Sequence, residues 1–438
     1  MSDLTISTAA ARRYLVARQG LLSAAGLPAP WRDTLEGCQG VMEAVNRLGA
    51  VQLDPVAVVA PNCELVMRNR VSGAGRTWLH DLLARANAFE YLANARCLLP
   101  VDRFADFYPM MVQARRNIEA HEQDLLPVMS EVIDAIEAAG PSSSRELGDD
   151  SSRLWGTGWD PPDKSSKASL AALDLLWLGG QIVVSGRPGN ARCYDLTGRH
   201  LPGEVLRAAR RRVEEGSSGP DPEWRRPYSC PQAGGGERPP WGATMLRLYL
   251  EAFGLAEITD HRFGWQKHRA AAKRELLAEL HSRGEMIQVE VRGVRRRYYA
   301  PAGEAEVMVT AGNWEPEPAI HLLPPLDNLL WSRPRLADLW DFDYRWELYT
   351  PRARRRYGPY TMPILEGDAF IGRADLKTDR ESGILRVNVL DMEDGVSLDD
   401  TRATGICAAI WDLAGFVGVD DVGVSDPERV PPEVVRIL

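Results

Sequence analysis

The residues best placed to do chemistry form one short run, Gln52-Leu53-Asp54-Pro55. In an extended chain, residues two apart share a face, so Gln52 and Asp54 point together while Leu53 points to the core. Pro55 biases Asp54 toward the extended region and supports that geometry. An amide and a carboxylate on one face can hold a water molecule between them. The carboxylate then accepts a proton or faces a developing cation. Taken alone, the same residues fit an Asp that caps a turn beside a Gln at a strand edge, which is the commoner use of such a pattern.

Two basic clusters are the next candidates. Arg292, Arg295, Arg296 and Arg297 surround a hairpin tip, a density suited to phosphate contacts. Arg352, Arg354, Arg355 and Arg356 precede Tyr357-Gly358-Pro359-Tyr360 and a following hairpin, where basic residues can place strands in a minor groove. A flexible basic loop explains the second cluster as well. A third cluster, Arg207 and Arg210 to Arg212, lies at helical spacing beside Glu214 and Glu215 and reads as a salt-bridged helix end.

The elements that carry these residues follow from caps and periodicity. Ser7 to Gln19 reads as a helix capped by Ser7 and stopped by Gly20. A second helix is expected from about Asp33 to Arg47, with Val41, Ala44, Val45 and Leu48 on one face and Gly49 as its stop. The extended segment from Val51 to Val56 follows. Next, helices are expected over Leu125–Ala139 and Ser169–Leu178, then strands over Gln181–Ser185 and Ala191–Asp195 around a Gly/Pro/Arg tip. Helix, turn, helix and hairpin is the plan of a winged helix. The plan repeats with helices Ala243–Phe253 and His268–Ser282 and strands Met286–Val291 and Arg295–Ala300. The first, mostly helical block has room for a third such unit. Strands Tyr360–Leu365, Phe370–Ala374 and Gly383–Leu390 and a helix Leu398–Ala414 close the chain as a mixed α/β block, with Glu366-Gly367-Asp368 as a hairpin turn. The Gly-, Pro- and Ser-rich stretch Glu214–Trp241 reads as a linker or surface insertion.

The bulk properties set limits. A chain of 438 residues accommodates two to four domains. No apolar run is long enough to span a bilayer, and the segment Met1 to Gln19 lacks the pattern of an export signal. The six cysteines form no CxxC pair, so neither a structural zinc nor a disulfide framework is expected, and a reducing cytoplasm fits. The net charge of −9 argues mildly against nucleic acid, but local charge on one face matters more than the sum.

The motif and its surroundings resemble the AlkZ/YcaQ-like DNA glycosylases, a winged-helix superfamily. The resemblance rests on Gln52-Leu53-Asp54 with Val58-Val59-Ala60 and Glu64-Leu65-Val66, on Glu90-Tyr91 with Cys97 to Pro100, and on Tyr194-Asp195-Leu196-Thr197. It continues through Pro324-Pro325-Leu326-Asp327 with Trp331, Tyr344-Arg345-Trp346-Glu347, Tyr349-Thr350-Pro351, and the stretch from Arg356-Tyr357-Gly358 to Leu376-Lys377. The Gln-aliphatic-Asp form looks like the YcaQ branch, also called AlkX. The chain departs from the family after Glu90-Tyr91, where an aromatic residue and a His-Glu pair are common and Leu92-Ala93-Asn94-Ala95 stands here.

The resemblance implies an α+β fold of three tandem winged helices around a C-terminal β-rich, barrel-like unit. The expected divisions are 1–120, 121–213, a linker 214–241, 242–312 and 313–438. It also implies a monofunctional glycosylase that excises N7-alkylguanine, including bulky adducts and interstrand crosslinks, in DNA repair or genotoxin self-resistance. Gln52 and Asp54 would be catalytic, and Glu90, Tyr91 and Asn94 would line a lesion pocket. No metal or organic cofactor is expected. The partner is double-stranded DNA, with no membrane, no obligate protein partner and a monomeric state expected. The rival reading is a winged-helix regulator without catalysis, which would prefer one sequence and ignore damage; an interaction scaffold is a third.

Overall fold

The computed structural model describes residues 3–25, 27, 30–147, 153–155, 165–215, 239, 241–260, 262–265 and 268–438. Most of the expected linker, Glu214–Trp241, and with it Cys230, lies outside the described residues. The chain mixes helices with several separate sheets in two compact units. The first unit gathers residues 1–74, 253–258 and 287–438; the second gathers 75–252 and 259–286.

In the first unit, Ser7 caps the helix Thr8–Arg18 by accepting the Ala10 N–H, and Gly20 takes a positive φ just beyond its end. The helix buries Ala10, Ala11, Tyr14, Leu15 and Val16 in a core that also holds Val289, Tyr298, Leu329 and Leu336. The helix expected over Asp33–Arg47 is divided. A single turn, Trp31–Thr34, is followed by extended Leu35 and Glu36, and the main helix is Gly37–Leu48. Leu35 and Glu36 are held out of the helix by Ser72, whose N–H donates to Leu35 O and whose carbonyl accepts from Gly37. Gly40 lies so close to the Leu35 backbone, 2.7 Å from the place of a Cβ, that only glycine fits without movement.

A four-stranded sheet runs in the order Leu4–Ile6, Met286–Val291, Arg297–Pro301, Ala256–Glu257. Its outgoing wing strand begins at Arg297, two residues later than expected, because Val294 N–H closes a turn on Val291 O and Gly293 has φ 82°. The C-terminal sheet has five strands in the order Ile320–Leu322, Thr361–Glu366, Ala369–Asp379, Ile384–Met392, Asp421–Val424. Glu366 pairs with Ala369 across the Gly367 turn. Bulges at Ile364/Leu365 and Asp375/Leu376 add curl. The two ends of the strand order do not meet, so the expected barrel-like unit is a curled half-barrel. The helix Asp400–Val417 buries Ile406, Ile410, Leu413 and Val417 in the same core as this sheet.

The second unit is mainly helical. The helix Phe104–His121 packs against Gly203–Glu215, where Arg212 pairs with Asp106 at 3.0 Å and with Glu215 at 3.6 Å. The helices Leu126–Ala139 and Ala168–Leu178 are followed by the hairpin Ile182–Gly186 with Cys193–Leu196, and Ser142–Ser143 adds a third strand beside the returning one. A further hairpin, Ala88–Leu92 with Arg96–Pro100, carries Phe89 and Tyr91 into an aromatic cluster with Phe104, Phe107 and Trp177.

Candidate active site

Val51–Gln52 is a two-residue strand that follows the Gly49 helix stop, and the chain is irregular from Leu53 to the helix Asn62–Arg68. Irregular backbone keeps one conformation only if its polar groups are tied down. Three sets of contacts do this within the first unit. Asn328 Nδ2 donates to Ala50 O at 2.8 Å. Asn62 Nδ2 donates to Gln52 O at 3.1 Å, while Asn62 Oδ1 accepts the Leu326 N–H at 3.2 Å. Further along, Tyr360 Oη donates to Ala60 O, and Thr378 donates through N to Val58 O and through Oγ1 to Val59 O.

The loop that supplies Leu326 and Asn328 is itself anchored by a buried ion pair. Arg70 and Asp327 are both fully buried, with Nη1–Oδ2 at 2.8 Å and Nη2–Oδ1 at 2.9 Å. Arg70 also donates to Gln19 O and Val66 O, so the guanidinium has a neighbour on each side. Asp327 Oδ1 additionally accepts the Leu329 N–H. These residues were not picked out for a role from the sequence. Asp327 falls in a family-like stretch, but its partner lies 257 residues away and no local pattern pairs them.

Gln52 is 7% exposed, so its side chain belongs to the interior edge of this segment. Asp54 is partly buried. Its Oδ1 accepts the Val56 N–H at 2.9 Å, an Asx turn, and Oδ2 has no partner among the described residues. The capping role and an open carboxylate oxygen thus coexist in one side chain. Burial pushes the Asp54 pKa above the usual aspartate range, and the Val56 N–H offsets part of that shift. Burial likewise raises the Tyr360 hydroxyl, and the Asp54 charge adds to the rise, so the phenol stays protonated.

The other expected site residues divide by environment. Glu90 has a fully buried side chain and forms a two-point ion pair with Arg187, whose Nη2 lies 2.8 Å from Oε2. Tyr91 is 1% exposed and donates its hydroxyl to Leu178 O at 2.7 Å. Asn94 is buried at the hairpin turn, where Ala93 N–H meets Ala95 O. All three belong to the second unit. In Glu90 and Tyr91, packing and hydrogen bonding thus occupy the functional groups.

Around the wing, Arg292, Arg295 and Arg297 are exposed, with no acidic partner among the described residues. Arg296 is held by both oxygens of Asp338, at 2.6 and 2.7 Å, and Tyr298 donates to the same carboxylate. In the second cluster Arg352, Arg354 and Arg356 are exposed. Arg355 turns inward and donates to Thr350 O and Leu348 O. The two arginine-rich runs thus contain both free cations and structural ones, which look alike in sequence.

A short irregular segment bearing an amide and a half-buried carboxylate, fixed by an asparagine pair and a buried ion pair, suits hydrolysis at a cationic centre. Residues 45–416 match the family described as DNA glycosylase AlkZ-like, and the chain belongs to that family. It is a DNA glycosylase, an enzyme whose substrate is DNA. The fold agrees. The DNA glycosylase AlkZ of Streptomyces sahachiroi superposes with a TM-score of 0.57 at 16% identity, covering 96% of this chain and all of the other. Among the described residues no helix is long and apolar enough to cross a membrane.

Proposed function

We propose that the protein is a monofunctional glycosylase of the Gln-aliphatic-Asp type that releases N7-alkylguanine from duplex DNA. The observation that carries this reading is the Asp54 carboxylate, with one oxygen fixed by Val56 N–H and the other open. Alkylation at N7 leaves the guanine positively charged. The C1′–N9 bond then breaks with its electron pair moving to the base, which departs neutral and needs no acid. The sugar is left as an oxocarbenium-like cation. Asp54 faces that cation, accepts the proton of the incoming water as it bonds to C1′, and Gln52 holds the water or the sugar-phosphate. The elevated Asp54 pKa suits a base, because a carboxylate raised toward the working pH is a better proton acceptor.

Three winged helices are part of this proposal. The order is helix, short strand, two helices and hairpin from Gly37 to Pro100; helix, short strands, helix and hairpin from Leu126 to Leu196; and helix, short strand, helix and hairpin from Gly242 to Pro301. Around them, Arg292, Arg295, Arg297, Arg352 and Arg354 are exposed cations that can meet phosphates, while Arg356 lies in an acid-rich cleft. We assign bulky N7 adducts and crosslinks to the substrate range, on the small residues Leu92-Ala93-Asn94-Ala95 where the family is larger and more polar. A crosslinked base cannot swing freely from the duplex, so little base flipping is required. The protein acts as a cytoplasmic monomer in this reading. The test is a panel of duplexes carrying N7-methylguanine, a bulky N7 adduct, uracil and 8-oxoguanine, with excess enzyme and alkaline cleavage of abasic sites. Release of both N7 adducts, the bulky one at least as fast, with uracil and 8-oxoguanine untouched, is expected. Efficient uracil release would overturn the charged-leaving-group argument.

A further inference from the structure

Tyr349 is 78% exposed, more than any other large apolar side chain described. A tyrosine so exposed on a soft loop would fold back onto the surface, but this loop is braced on both sides. The Glu347 carboxylate is buried and accepts three successive backbone N–H groups, from Arg356 at 3.0 Å, Tyr357 at 2.9 Å and Gly358 at 3.0 Å. Arg355 reaches back from the far side and donates to Leu348 O at 2.9 Å and Thr350 O at 2.8 Å, the carbonyls on either side of Tyr349. A turn from Thr350 N–H to Glu347 O closes the base of the loop. Trp346, fixed by its indole N–H on Pro359 O, sets its ring edge-on to Tyr349 at 5.6 Å and 76°. The tyrosine ring is thus held outward by a hydrogen-bonded frame, with a broad face left to solvent.

The surroundings give the face a partner of definite chemistry. Arg352 and Arg354 are exposed beside it, with no acidic partner among the described residues. A cleft of about 390 Å³ that reaches Arg356 and Tyr357 is lined by six carboxylates against three arginines, Arg345, Arg356 and Arg373, so its net charge disfavours phosphates. A polyanion therefore fits on the Arg352 and Arg354 side. An exposed aromatic face next to unpaired cations is the combination that binds a nucleobase by stacking and its strand by the phosphates. The loop ends at Tyr360, whose hydroxyl contacts Ala60 O in the segment that bears Asp54. The frame that holds Tyr349 thus runs into the frame that holds the carboxylate.

We propose that Tyr349 is a base-stacking residue, its ring packing on a nucleobase left unstacked at the lesion while Arg352 and Arg354 hold the adjoining phosphates. This rests on the glycosylase reading for its substrate but not for its test. The probe is a duplex with a tetrahydrofuran abasic site and 2-aminopurine in the opposite strand, which reports stacking by fluorescence without any excision. Wild type and Tyr349→Phe should bind with similar affinity and quench the 2-aminopurine. Tyr349→Ala should bind roughly 5- to 150-fold more weakly, the range that stacking on one base supplies, and leave the probe bright at saturation. Its salt slope should be unchanged, whereas Arg352→Ala with Arg354→Ala should reduce the slope by about two. Equal quenching and affinity for Tyr349→Ala and wild type would overturn the proposal, as would a Tyr349→Phe protein as impaired as Tyr349→Ala. Stacking signals without release of N7-methylguanine would refute the excision chemistry and leave the stacking role standing.

Discussion

Replacing Asp327 by Asn should both destabilise the first unit and disable the site. Arg70 and Asp327 are fully buried and joined by two hydrogen bonds of 2.8 and 2.9 Å. The substitution keeps the shape of the side chain but removes its charge. It also places an NH2 group against one guanidinium nitrogen, donor facing donor. One charge-assisted bond is lost, the other meets a neutral carbonyl, and an uncompensated cation stays buried. Breaking one partner of a buried pair costs about 3–5 kcal/mol. For a unit of this size each kcal/mol moves Tm by roughly 2–4 °C, so a fall of roughly 6–20 °C is expected. The same loop donates to Ala50 O through Asn328 and to Asn62 through Leu326 N–H, so excision should fall even well below the new Tm. The assay pairs thermal unfolding with single-turnover excision at a temperature where the variant is folded. A Tm within 2 °C of wild type, on the same scale of roughly 2–4 °C per kcal/mol, would refute the energetic reasoning. A destabilised variant with normal excision would separate the loop from the site.

The pH dependence follows from Asp54. Its carboxylate is the active form and burial raises its pKa, so as pH falls the rate should be lost at a higher pH than the ordinary aspartate value of about 3.9; an acid limb at or below that value in kcat/KM would contradict the assignment. Each of Arg292→Ala, Arg295→Ala and Arg297→Ala should lower the log–log salt slope of DNA binding by about one. Arg296→Ala should instead lower Tm with little change of slope, because its guanidinium is held by Asp338. Tyr91→Phe leaves Leu178 O without its buried donor and should cost about 1–3 kcal/mol in unfolding while leaving the choice among lesions unchanged.

What was legible in the sequence was local. The Ser7 cap, the Gly20 and Gly49 stops and the Glu366–Asp368 hairpin turn are written in neighbouring residues and reappear in the structure. The Gln52-Leu53-Asp54 run stood out by residue type, but the extended conformation expected through Val56 ends at Gln52, because Asp54 turns to accept the Val56 N–H. The break before Gly37 was not legible, since Ser72 pulls Leu35 and Glu36 out of a helix that periodicity alone would continue. Nor was the Arg70–Asp327 pair, or the inward turn of Arg355 and Arg296, because an arginine's partner is set by tertiary packing. The same holds for Glu90, whose partner Arg187 lies 97 residues away.

The central claim is that the Asp54 carboxylate carries the hydrolysis, and Asp54→Asn tests it most directly. The raised folded-state pKa means that the ionised form is penalised by folding. The stabilising contribution of this group is complete below its unfolded pKa and is lost as pH rises through its folded pKa. At neutral pH the amide should therefore fold at least as stably as the acid, and its Oδ1 can still accept from Val56 N–H. Single-turnover release of N7-methylguanine should fall by about 10²–10⁴-fold, with duplex affinity within a few-fold of wild type and Tm not reduced. Release at a near wild-type rate by a stable Asp54→Asn protein would contradict the account.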